Sequence, residues 1–228
     1  MATDVLEPEA AGSAQAEAPA RATKRLLIAS PKGGATKTST TRNLAVIAAL
    51  SGLNVAVLDL DSQKSLTKWW GKRPSNAVRI EHYEGSMDDV EGIDEIDGHD
   101  LVVIDTPPLV EERPEAVRAL TRAAHLTLVP TLQGVDDVDS VIGFMRFLKQ
   151  EKADAVFLLG ATNRRAASYE KAKRRLIAAG RLCAVDVPRY EDIQNAAEVG
   201  LGVAEVRRAK GVEDFMAVWN FVRGELGI

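Results

Sequence analysis

Residues 25–39 read Arg-Leu-Leu-Ile-Ala-Ser-Pro-Lys-Gly-Gly-Ala-Thr-Lys-Thr-Ser. The apolar run at 26–29 stops at Pro31 and a glycine pair, the pattern of a buried strand entering a tight loop. The stretch that follows, 38–50, carries Leu44, Ile47 and Leu50 at helical spacing and ends at Ser51 and Gly52. A strand, a glycine loop and a helix in that order build an anion site. The loop amides and the helix N-terminus turn N–H donors and the positive end of a dipole toward one point. Lys37 is spaced to reach β- and γ-phosphates, and the Thr38 hydroxyl to ligate Mg²⁺. A plain strand-to-helix turn would leave Lys32 and Lys37, the lysines flanking the glycines, unexplained.

Outward from this loop, short apolar strands are expected at 54–58, 101–104, 126–129 and 156–159, with helical patterns at 114–123, 135–150 and 167–179. Strands alternating with helices predict an α/β fold, a doubly wound and mostly parallel sheet covered on both faces. With 228 residues there is room for one such domain, expected over 24–228, and little for a second. Residues 1–23 are rich in Ala, Glu and Pro. Too few large apolar side chains lie there to offset the entropy of ordering, so the stretch is expected to be a disordered tail, either inert or partner-binding.

The formal net charge of -4 argues against attraction of the whole molecule to nucleic acid or anionic lipid, and leaves room for a local basic patch. Cys183 is the single cysteine, which rules out an intrachain disulfide or a thiolate cluster and fits a reduced, cytoplasmic setting. No apolar run approaches the roughly 20 residues that span a bilayer.

Two further segments carry carboxylates. The second strand runs into Asp59-Leu60-Asp61-Ser62-Gln63, where the spacing of the two acids is expected to aim both into the crevice at the strand ends. Residues 101–108, Leu-Val-Val-Ile-Asp-Thr-Pro-Pro, deliver Asp105 at the end of an apolar run, placed to hold Mg²⁺ through water.

Lys32-Gly33-Gly34-Ala35-Thr36-Lys37-Thr38-Ser39 resembles the signature of the ParA/MinD family of deviant Walker A ATPases, within the P-loop NTPase fold. The resemblance runs from about residue 24 to about 222 and is nearest to small plasmid-type ParA proteins. It implies that ATP with Mg²⁺ is the ligand, that residues 32–39 hold the phosphates, and that Lys32 crosses a homodimer interface to the partner's nucleotide. It also implies that Asp61 orients the attacking water, that Asp59 and Asp105 belong to the metal surroundings, and that residues 106–108 form a γ-phosphate switch. Asn163 and Pro188 resemble residues that contact the base. Thr36 departs from the family's glycine. If the loop needs φ > 0 there, a β-branched residue is strained by roughly 1–3 kcal/mol. Then either the loop differs, or nucleotide affinity and turnover fall.

Proteins of this kind dimerise on ATP, bind nonspecific DNA on the nucleoid, and release it when a ParB-like or cargo-adaptor partner stimulates hydrolysis. The expected DNA surface comprises Lys171, Arg174 and Arg175 on one face of the 167–179 helix, with Arg164, Arg165 and Lys173 close in sequence and Arg207, Arg208 and Lys210 as a second basic group. The C-terminal stretch 213–228 has only Arg223 as a basic residue and reads as a closing helix rather than a membrane anchor. Two functions remain open: a positioning or partition ATPase, and a nucleotide-gated regulatory or scaffold protein that barely hydrolyses ATP.

Overall fold

The computed structural model describes residues 22–88, 90–108 and 114–228. Almost all of the expected tail lies outside them. Thr23, counted with that tail, belongs to the fold: it is buried, and its hydroxyl donates to Asp97 at 2.9 Å.

Six strands form one sheet: β1 (Lys24–Ile28), β2 (Val55–Asp59), β3 (Glu81–Glu84), β4 (Leu101–Asp105), β5 (Leu126–Thr131) and β6 (Ala155–Leu159). Every pairing is parallel, in the order β3-β2-β4-β1-β5-β6. β1 therefore sits inside the sheet, with the chain winding to one side through β2–β4 and to the other through β5 and β6. Ligand crevices of open α/β sheets form at such a reversal, outside the carboxyl ends of the strands. The loop 29–36 leaves β1 at that place.

The helices are α1 (Lys37–Leu50), α2 (Ser65–Trp70), α3 (Pro114–Ala123), α4 (Val135–Gln150), α5 (Ala167–Ala179), α6 (Glu191–Glu198) and α7 (Val212–Leu226). One core packs α1, α2, α6 and α7 on one face of the sheet, through Leu44, Trp69, Ile193 and Trp219. On the other face, Met87, Val117 and Leu120 cover β1, β2 and β4, and Val138, Met145 and Leu176 cover β5 and β6. β2, β4, β5 and β6 are buried along their whole length, as expected of parallel strands covered on both sides. Leu50 departs from the helical reading: it ends α1 at 51% exposure, where the core face has run out. Cys183 is buried and bonds along β6 through its amide to the Phe157 carbonyl at 2.9 Å. Trp69 is buried, with its indole N–H on the Leu201 carbonyl, and Trp70 donates to the Ile80 carbonyl, so the pair is structural. Among the described residues, no helix is long and apolar enough to cross a membrane.

Candidate nucleotide site

A cavity of about 1250 Å³ opens at the reversal point, lined by residues 33–40, Asp61, Pro108, Gly134, Asp137, Gly160, Val187 and Pro188 among others. Ligand pockets typically span roughly 300–1,000 Å³, so a nucleoside triphosphate fits. Gly33 and Gly34 keep the phosphate end open. A side chain at Gly34, where φ is 74°, would meet nothing within 4 Å, and one at Gly33 would reach only the Pro108 ring at 3.8 Å. Ala35 is buried beneath the loop.

The loop turns into α1 at Thr36, whose φ of 66° lies in the left-handed region. A β-branched residue thus occupies a turn that glycine adopts more readily. Thr36 lends no side-chain cap to α1, so the first amides of the helix stay available to an anion. Lys37 is 7% exposed and its ammonium donates to the Lys32 carbonyl at 3.0 Å, which folds its side chain back over the loop. Burial lowers its pKa, opposed by the charges of Asp105 and Asp61. Thr38 and Ser39 line the cavity. The Lys32 ammonium lies 3.7 Å from a carboxylate oxygen of Asp137, near the start of α4.

Asp105 ends β4 fully buried. Its Oδ1 accepts from the Thr41 hydroxyl at 3.2 Å, while Oδ2 has no partner. Burial raises its pKa from 3.8 to about 7; the Thr38 hydroxyl and the Lys37 charge oppose the rise, and the charge of Asp59 adds to it. A buried carboxylate of this kind is balanced either by holding its proton, as the raised pKa says, or by meeting a cation. Mg²⁺ commonly takes one or two carboxylates together with phosphate oxygens and water, and the Thr38–Asp105 pair suits that arrangement. No cage of three or more His, Cys, Asp or Glu side chains occurs among the described residues.

Asp59 and Asp61 do not aim the same way. β2 ends at Asp59, so Asp61 lies in the turn beyond it, where strand alternation no longer applies. Asp61 lines the cavity and accepts from the Gln63 amide at 2.9 Å. Asp59 is fully buried and turned toward α2. Its Oδ2 accepts from the Thr67 amide at 2.9 Å and the Thr67 hydroxyl at 2.8 Å, and its Oδ1 from the Asp61 amide at 3.0 Å. Arg42 reinforces this bracket, donating to the Ser65 carbonyl at 3.0 Å. Burial lowers the Arg42 pKa, and the charges of Asp105 and Asp59 oppose that. The sequence carried no sign of Arg42, because its role depends on helix packing. Thr106 is fixed by its hydroxyl to the Ile28 carbonyl at 3.0 Å, and Pro108 reaches the cavity; residues 109–113 lie outside the described ones.

On the base side, Pro188 lines the cavity with Val187 and Gly160, whereas Asn163 is exposed outside that lining. The Asn163 side-chain oxygen accepts from the Arg165 amide at 3.1 Å, and the Gln133 side chain bridges its backbone.

The basic residues divide. Arg164 is held by Asp186, with Nε at 3.0 Å from Oδ2, and by Asp214 at 3.4 Å. Asp186 is buried and also accepts from Tyr169 and Thr162, so Arg164 belongs to a bracket joining the loop after β6 to α5 and α7. Arg175 pairs with Asp139 on α4. Arg165, Lys171, Arg174, Arg207 and Arg208 are exposed, and Tyr169, Ala172 and Leu176 form the buried side of α5.

Over residues 26–204 the chain matches the CobQ/CobB/MinD/ParA nucleotide binding domain. It is 36% identical over 101 residues to the maintenance of carboxysome distribution protein A of Gloeobacter kilaueensis, covering 44% of this chain and 45% of that protein. It is 28% identical over 160 residues to the chromosome-partitioning ATPase Soj of Thermus thermophilus, covering 57% and 63%. The matches thus span less than two thirds of either relative's length. The septum site-determining protein MinD of Pyrococcus horikoshii, complexed with Mg-ADP, superposes with a TM-score of 0.72 at 16% identity, covering 88% of this chain and 96% of that one. This is a likeness of fold.

Proposed function

The chain belongs to the CobQ/CobB/MinD/ParA nucleotide-binding family, and from that premise we propose that it is a Mg²⁺-dependent ATPase that dimerises on ATP and positions a cargo over DNA. The observation that carries the reading is the pairing of an open glycine cradle before α1 with the buried Asp105 carboxyl group, which interacts with Thr38 and Lys37 at the start of that helix and keeps one oxygen without a geometric hydrogen bond. One takes phosphate; the other calls for a cation.

In this reading the amides of 33–38 bind the phosphates, Lys37 offsets their charge, and Thr38 with Asp105 holds Mg²⁺, which would screen the charge that develops on the departing phosphate. Asp61 accepts a hydrogen bond from the attacking water and so orients it. Asp59 acts from behind, holding α2 and thereby the Asp61 turn. Lys32 exchanges Asp137 for the nucleotide of a second copy. Exposed Arg165, Lys171, Arg174, Arg207 and Arg208 give salt-sensitive, sequence-independent contacts to DNA phosphates. The cargo class follows the relatives, one named for carboxysome distribution and the other for chromosome partitioning. A ParB-like or adaptor partner would stimulate hydrolysis, and the protein would gather on the nucleoid. The domain expected over 24–228, extended by the buried Thr23, would act as one unit.

The left-handed Thr36 favours a second reading, a nucleotide-gated scaffold with little turnover. ATPase rate with and without nonspecific DNA separates the two, read beside light scattering. The positioning reading expects an ATP-dependent dimer that binds DNA more weakly as salt rises; absence of both would overturn it. Asp61→Ala should trap that dimer by blocking hydrolysis, and turnover at the parent rate would show that another group orients the water.

A further inference from the structure

Thr36 meets an unusual partner. Its side chain lies against Gly160, the residue after β6. A methyl group at Gly160 would stand 2.5 Å from the Thr36 hydroxyl oxygen and 3.4 Å from both Thr36 Cβ and Cγ2. Gly160 itself does not adopt a positive φ, so its backbone does not demand glycine. What glycine supplies is the room that Thr36 fills. The packing is tight, and the Thr36 hydroxyl oxygen is buried there without a hydrogen-bond partner.

Both sides of this junction are constrained. Thr36 has φ 66° and Ala161 has φ 46°, two non-glycine residues in left-handed conformations on facing loops. Such strain persists only where surrounding structure enforces it, and it gathers at functional sites. Gly160 is tied by its amide to the Thr131 carbonyl at 2.9 Å. Val187 bonds to the Leu159 carbonyl at 2.9 Å and Thr162 to the Val187 carbonyl at 3.1 Å. These bonds tie the wall made by Gly160, Ala161, Val187 and Pro188 to the end of β6. Thr36 is the side chain of the phosphate loop wedged against that wall.

We propose that Thr36 is a positioning residue: seated in the space left by Gly160, it sets the spacing between the phosphate loop and the wall facing the ribose and base, so that the two ends of the nucleotide are gripped together. The inference rests on the ATP reading above and gives the departure at Thr36 a role in place of a defect. It concerns recognition of the whole nucleotide, whereas the phosphate cradle itself needs no side chain at this position.

The test compares the affinities of ATP and inorganic tripolyphosphate, each with Mg²⁺, by calorimetry on the full chain. Glycine suits the left-handed turn and keeps the backbone amide, so Thr36→Gly should lose less affinity for tripolyphosphate than for ATP. Its preference for ATP over tripolyphosphate should fall by about tenfold, since small misplacements of paired groups are costly. Gly160→Ala should lower thermal stability and the same preference, by driving a methyl group into Thr36. Combining Thr36→Gly with Gly160→Ala moves the bulk to the other side of the junction. The double variant should regain stability and most of the preference, a non-additive outcome that only direct packing of the two residues produces. A purely structural wedge would move the melting temperature and leave the affinity ratio unchanged, which would overturn the proposal, as would strictly additive effects. A parent that binds tripolyphosphate and ATP equally would also overturn it. A parent that binds neither would overturn the ATP reading, and this inference with it.

Discussion

Asp105→Asn separates stability from ligand binding and reverses their signs. The carboxyl group has a pKa of about 7 in the folded chain against 3.8 as the ordinary value, chiefly through burial. An acid whose folded pKa is raised leaves stability intact while both states are protonated, below about pH 4. The contribution is then lost progressively until the pH passes the folded value. Between pH 5 and pH 8 that loss is about 3 kcal/mol, from a pKa difference of about three units at 1.36 kcal/mol each, less the part already lost by pH 5. Asparagine has no such titration. Without nucleotide, the stability of the parent relative to Asp105→Asn should therefore fall by about 3 kcal/mol across this range, which is about 6–12 °C in melting temperature for a domain of this size. Added Mg–ATP should raise the parent's melting temperature and leave the variant's nearly unchanged, because the cation that balances the orphaned oxygen then has no charged ligand. Scanning calorimetry at pH 5, 6.5 and 8, with and without Mg–ATP, reads both effects. A parent-minus-variant difference that stays flat with pH would refute the reasoning.

Lys32→Ala should keep nucleotide binding in the monomer and abolish the ATP-dependent dimer in light scattering; its half-exposed pair with Asp137 is worth less than about 1 kcal/mol, so melting should barely move. Arg164→Ala should lower stability in urea titrations without changing the salt dependence of DNA binding, because Asp186 and Asp214 already hold its guanidinium. The pair Arg207→Ala and Arg208→Ala should do the reverse, reducing the slope of log affinity against log salt by about one for each DNA phosphate that is no longer neutralised. Arg73→Ala leaves Glu205 buried and unpaired, since both side chains are 7% exposed, and should cost about 3–5 kcal/mol in chemical denaturation.

Most of the sheet was legible because its strands are short, apolar and bounded by turn residues, and the amphipathic helices α3, α4 and α5 were legible for the same kind of reason. β3 was not. Glu-His-Tyr-Glu at the sheet edge is only partly buried and carries no apolar run. α6 was missed because only Ile193 and Ala196 of its eight residues are buried, too few for a visible period. At the site, the loop and Asp61 line the cavity and Asp105 ends β4, positions that the chain order of strand, loop and helix already implied. The direction of Asp59 did not, because the strand ends too soon for alternation to reach Asp61. The pairing of Arg164 with partners 22 and 50 residues away is tertiary and has no local signal. The strain at Thr36 was readable from its residue type; the room that Gly160 makes for it was not, since 124 residues separate the two.

Calorimetric titration of Mg–ATP into the purified chain bears most directly on the central claim. Saturable binding with one site per chain, lost in Lys37→Ala and weakened when Mg²⁺ is chelated, is the expected result. Equal affinity in the parent and Lys37→Ala, or no binding by the parent, would contradict it.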